Sequence, residues 1–220
     1  MSPTPEEVEA GHSFYTKRAL SVYDPMILGF FSRAAWRCPA RKLLAHYNAC
    51  ISTNHLDVGV GTGYFLDRCE FPFPPRIALM DLNRDCLDVA GRRIARYEPE
   101  TYVANVLEPI SAAIPTKFDS IALNYLLHCL PGTMPTKGVV FEHLAALANE
   151  NAVIFGATLL HDGVPRNWFA RKVMDRNNQH GIFSNSDDSL DSLRSVLDEH
   201  LEDPQVDIVG CVAMFSGTVA

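Results

Sequence analysis

Asp57-Val58-Gly59-Val60-Gly61-Thr62-Gly63 ends an apolar run that begins at Leu56 and leads directly into a helical stretch over 63–69. Glycines where a buried strand turns into a helix let the backbone approach a ligand with no Cβ in the way. The stretch therefore reads as a ligand-binding turn or, more plainly, as a structural one. The dinucleotide fingerprint Gly-x-Gly-x-x-Gly needs its third glycine at residue 64, and that residue is Tyr64. The first strand covers 56–60. Further strand-like runs at 76–80, 102–106, 120–124 and 152–160 alternate with helical patterns at 84–97 and 138–149, the order that gives a parallel sheet covered on both faces. Two more helices are expected over 165–178 and 188–200, the second capped by Ser186-Asp187-Asp188. The chain closes on two strand-like runs, 206–209 and 211–215, with Gly210 between them. That gap cannot hold a crossover helix, so the runs should form an antiparallel hairpin.

At 220 residues the chain suits one decorated α/β domain. No apolar run approaches the roughly 20 residues that span a bilayer. The start, Met1-Ser2-Pro3-Thr4-Pro5-Glu6-Glu7, lacks the basic flank and apolar segment of a secretory signal, so a cytoplasmic protein is expected. A net charge of −7, with Lys and Arg scattered along helices, argues against nucleic acid and for a small-molecule partner. The six cysteines form no Cys-x-x-Cys pair and lack zinc-site spacing, so reduced thiols and no metal are expected.

Chemistry collects at the strand ends. The second strand stops at Asp81, eighteen residues beyond Gly63, where a carboxylate either accepts from two ribose hydroxyls or caps the next helix. The third delivers Asn105-Val106, and the fourth ends in Asn124-Tyr125-Leu126-Leu127-His128. These motifs, with Asp57-x-Gly59-x-Gly61-x-Gly63 and the terminal hairpin, resemble the class I S-adenosylmethionine-dependent methyltransferases over about residues 50 to 219. The resemblance implies a Rossmann-like, doubly wound, mainly parallel seven-stranded sheet with an antiparallel C-terminal hairpin. It also implies S-adenosyl-L-methionine as cofactor, with Asp81 on the ribose and Leu82 on the adenine. Asn105 and Val106 would read the adenine edge, Asn105 standing where Asp is commoner, and Asn124 would contact the methionine part. Asp57 would set a charge near the ammonium group. The segment 118–131 is similar to compact bacterial and fungal methyltransferases of natural-product pathways, which points to O-methylation of a secondary metabolite, with an N acceptor as the alternative.

In open α/β sheets reactants gather beyond the carboxyl ends of the strands. His128 is there the first candidate for a general base on a hydroxyl, against a histidine satisfied by backbone contacts. His161 is a weaker candidate for the acceptor side. The aromatic-rich segment 1–50 reads as a helical lid or as helices packed on the sheet edge, ahead of a cofactor-binding domain over 51–220. Tyr15, Tyr23, Phe30 and, late in the chain, Phe183 are its candidate acceptor contacts, each equally readable as packing. A non-methylating relative of the fold (a cyclase or partner subunit) and an NAD-dependent oxidoreductase are the competing functions. Tyr64 and the hairpin both oppose the oxidoreductase.

Overall fold

The structure, a computed structural model, describes residues 16, 20, 22–110 and 114–220. Tyr15 lies outside them. Seven strands form one sheet: β1 (Asn54–Val58), β2 (Arg76–Asp81), β3 (Glu100–Val103), β4 (Phe118–Asn124), β5 (Ala148–Leu159), β6 (Glu202–Val209) and β7 (Val212–Thr218). Their order is β3-β2-β1-β4-β5-β7-β6. The first five run parallel, while β7 is antiparallel to both β5 and β6. Chain order reverses between β1 and β4, and this opens a crevice beyond their carboxyl ends.

The central strands are apolar on both faces, as strands sandwiched between helices must be. Ile77 to Met80 are all buried, Ala78 and Met80 facing one core and Ile77 and Leu79 the other. Among the described residues the helices of four residues or more, in chain order, are α1 (Asp24–Phe31), α2 (Ala40–Cys50), α3 (Tyr64–Arg68), α4 (Arg84–Arg93), α5 (Met134–Lys137), α6 (Val139–Ala145), α7 (Trp168–Gln179) and α8 (Leu190–His200). One core takes Val140, Phe141 and Leu144 of α6 with Leu193 and Leu197 of α8. The other takes Tyr47 of α2, Leu66 of α3 and Leu87 and Ala90 of α4. Among the described residues no helix is long and apolar enough to cross a membrane.

Four expectations about elements shift. β3 ends at Val103, two residues before Asn105, because the Asn105 side chain accepts from the Leu107 amide (3.1 Å) and turns the chain. The helix expected over 138–149 is shortened to α6, which ends at Ala145 because β5 already begins at Ala148, and a separate short helix, α5, precedes it across Gly138. The 84–97 helix stops at Arg93, with a 3₁₀ turn at Ala95–Tyr97. α8 is capped by Ser189, in a reciprocal box with Ser192, and not by Ser186-Asp187-Asp188. Asp188 is instead drawn inside by Lys137 of α5 (Nζ to Oδ2, 2.7 Å), both side chains fully buried.

Candidate active site

The turn from β1 into α3 floors a cavity in the crevice, lined by Asp57, Gly59, Gly61, Gly63, Asp81, Leu82, Asn105, Val106 and Asn124 among others. Every residue expected at the cofactor lies on this one cavity. Gly59 sits at φ +70°, and a Cβ there would press on the Leu126 side chain. Gly61 at φ +51° has open space where its Cβ would be, so its face is free for a ligand.

Asp57 lies beneath that turn. Its Oδ2 accepts from the Tyr47 hydroxyl at 2.6 Å, and the same hydroxyl is 2.9 Å from His55 Nε2. His55 Nδ1 is 2.8 Å from Ser120 Oγ. Tyr47 has one proton and gives it to the carboxylate, so it accepts from His55 Nε2–H, and His55 Nδ1 in turn accepts from Ser120. Burial holds His55 near a pKa of about 3, which keeps the ring neutral and the chain of donors fixed in direction. Burial raises the Asp57 carboxyl to about 7, the Tyr47 donor opposing and the nearby Asp81 charge adding. Asp81 is raised to about 6 by burial, against backbone amides of Asn83, Gly61 and Val60 that hold it down.

This donor set fits S-adenosylmethionine. Two carboxylates line the cavity, and among its described lining residues there is no Lys, Arg or His. That charge suits a cation and opposes a pyrophosphate. The Asn124 amide nitrogen is buried without a partner among the described residues, a donor free to meet an acceptor such as the carboxylate of the methionine part.

α1 is wound as a π-helix and tied over the turn. Asp24 at its start accepts from the Thr62 hydroxyl (2.6 Å) and from Arg93 Nη1 of α4 (2.6 Å), bringing Tyr23 and Leu28 to the cavity wall. Beyond them opens a second cavity of about 430 Å³, and Tyr23 and Tyr125 line both. Tyr125 holds φ +59°, a costly backbone for a bulky residue. Its amide is fixed to the Ala157 carbonyl at 2.7 Å, and the bend sets the ring between the two spaces.

The second cavity is walled by aromatics: Phe31 stacks on both Phe169 (5.8 Å) and Trp36 (6.3 Å), and Phe183 meets His128 edge to face at 4.7 Å. Lys172, Arg176 and Asn177 of α7 supply its polar edge. The loop carrying Phe183 is pinned by Lys137 Nζ, which donates to the Ser184 carbonyl at 2.6 Å as well as to Asp188.

His128 lines this cavity, its Nδ1 turned towards β5. The Leu159 amide reaches its Nδ1 at 3.4 Å, with the Thr158 hydroxyl at the same distance. A backbone N–H can only donate, so Nδ1 is an acceptor and the neutral ring carries its proton on Nε2. Burial, helped by the Lys137 charge, lowers its pKa to about 3. The ring thus offers the cavity a donor.

Two other expected acceptor contacts fall elsewhere. Phe30 is 58% exposed and outside both cavities, because its neighbour Phe31 occupies the inward face of α1. His161 also lines neither cavity, its Nε2 standing 3.7 Å from Asp175 Oδ1. Tyr23 and Phe183 do line the second cavity. Sequence reasoning passed over Tyr47, His55, Asp24, Arg93, Trp36, Lys172 and Arg176. Trp36 falls within the aromatic-rich segment 1–50, while the others meet their partners only through the fold.

Residues 28–200 match a family model described as a methyltransferase domain. The chain is 38% identical over 211 residues to the demethylluteothin O-methyltransferase of Streptomyces thioluteus, covering 96% of this chain and 91% of that one. It is 36% identical over 208 residues to the physcion biosynthesis cluster O-methyltransferase of Aspergillus chevalieri, covering 94% of each. Among solved structures, the DhpI–SAH complex shares the fold with a TM-score of 0.70 at 17% identity, over 97% of both chains.

Proposed function

Since this chain belongs to the class I S-adenosylmethionine-dependent methyltransferases, we propose that it methylates a hydroxyl of a small, largely apolar secondary metabolite held in the second cavity. The observation that carries this reading is the meeting of the two cavities at Tyr23 and Tyr125. A reactant in each would be in reach of the other, and holding two reactants in register is the main task of such an enzyme. Relatives named as O-methyltransferases of the luteothin and physcion compounds support an oxygen acceptor.

When bound, S-adenosylmethionine supplies a methyl group already activated by its sulfonium. In the proposed arrangement Asp81 takes the ribose, Leu82, Asn105 and Val106 the adenine, and Asp57 and Asn124 the ammonium and carboxylate. Tyr47 and His55 hold the Asp57 carboxylate from behind. Phe31, Trp36 and Phe183 enclose the acceptor and exclude water, and His128 Nε2–H orients its oxygen. The segment ahead of β1 acts as a lid through α1.

Incubation with S-adenosylmethionine and a panel of phenols, enols and amines tests the reading. Release of S-adenosylhomocysteine with a hydroxyl compound, and a mass gain of one methyl, is expected. Turnover with amines alone would overturn the oxygen assignment, and cofactor binding without turnover on any acceptor would point to a non-methylating member of the fold.

A further inference from the structure

Resting on the reading of the second cavity as the acceptor site, we propose that the acceptor enters as an oxyanion. It would be an acidic, already ionised hydroxyl on a planar apolar body, of the enol or electron-poor phenol class, drawn in by Lys172 and Arg176.

The first argument is that none of the cavity's described residues is set up to take a proton. Its described titratable lining is Tyr23, Tyr125, His128, Lys172 and Arg176, with no Asp or Glu. His128 Nδ1 is occupied by the donors at Thr158 and Leu159, and burial holds Tyr125 as a phenol. The buried cation of Lys137, paired with Asp188 behind His128, further opposes a proton on the imidazole. A hydroxyl that arrives protonated would have no base to lose its proton to, whereas one ionised in water needs none.

The second argument is charge. Lys172 and Arg176 stand one turn apart on α7, both exposed and both lining the cavity, so they flank its opening to solvent. Among the described residues neither forms an ion pair, and Asp175 between them turns towards His161. Two uncompensated cations beside an aromatic wall favour a ligand with one negative charge and an apolar body. His128 Nε2–H adds a neutral donor inside. The methylated product carries no such charge, so the same pair would hold it less tightly.

Para-nitrophenol, whose anion is coloured, tests this without cofactor or turnover. The phenol's apparent pKa should fall by about 1 on binding, corresponding to roughly tenfold tighter binding of the anion. The Lys172→Gln/Arg176→Gln protein should lose the shift while binding neutral para-nitroanisole, followed by tryptophan fluorescence, within about twofold of the parent. An unchanged or raised apparent pKa, or a shift that survives in the double variant, would overturn the proposal. Failure of both probes to bind would overturn the acceptor-cavity reading along with it, whereas a shift without methyl transfer would fault the function alone.

Discussion

In the proposed arrangement Asp57, one buried side chain, would couple cofactor binding to pH. Its carboxyl is raised to about 7 and that of Asp81 to about 6, chiefly by burial, both above the value of 3.8 that an unburied aspartate shows. Between about pH 4 and 7 the folded chain therefore binds more protons than the unfolded one. The stability this contributes is fully present below about pH 4 and is lost as pH rises through 6 to 7. A cationic ligand works in the opposite sense, because its ammonium needs the ionised carboxylate. Titration calorimetry should find S-adenosylmethionine affinity rising about tenfold between about pH 5.5 and 7.5. Asp57→Asn should bind weakly at every pH. Tyr47→Phe removes the donor that stabilises the anion and should move the midpoint upward; a midpoint left in place would separate Tyr47 from the cofactor site.

At the scale of elements, α1 is joined to the turn through one acid. Asp24 holds the Thr62 hydroxyl and the Arg93 guanidinium, each at 2.6 Å, and Arg93 also reaches the Thr62 carbonyl at 3.2 Å. All of this lies outside the cofactor's own expected contacts. α2 is a different matter, since its Leu43 and Tyr47 are buried in the sheet cores. α1 and α2 should therefore respond differently to mutation. Asp24→Ala deletes a charge-assisted pair worth about 1.5–3 kcal/mol where fully made, reduced here because both side chains are about a fifth exposed. It should raise the cofactor Kd about three- to tenfold and speed its release, with the melting temperature nearly unchanged. A large loss of Tm with normal affinity would mean that α1 is scaffold and not a lid. Asp24→Asn, which can still accept from Thr62, should fall between the two.

Across the whole molecule, what the sequence reveals depends on how far apart a site's residues lie. The proposed cofactor side is assembled at the ends of successive strands, each carrying its own local motif: 57–63, Asp81, Asn105, Asn124. Periodicity locates the strands, and the parallel topology brings their ends together. The proposed acceptor cavity draws on Tyr23, Trp36, Tyr125, Leu159, Lys172 and Phe183, spread over most of the chain with no shared motif. The aromatic residues could be seen, but which faced inward could not. Phe31 and Phe30 differ only by the rotation between neighbours on a helix. The hairpin, too, was legible, but not what it touches. Gly210, at φ +62°, brings the β6–β7 turn against Trp36, where the Cys211 amide donates to the Trp36 carbonyl at 3.1 Å and any Cβ on Gly210 would run into that carbonyl. The C-terminal turn thus props a wall of the second cavity from outside. Gly210→Ala forces both an unfavourable φ and a displacement of Trp36, together costing about 2 kcal/mol and lowering Tm by about 4–8 °C. Because Trp36 lines only the second cavity, affinity for the nitrophenol probe should fall several-fold while S-adenosylmethionine affinity stays within about twofold. If the two affinities fell together, the hairpin would be acting through the sheet as a whole and not through that single aromatic contact.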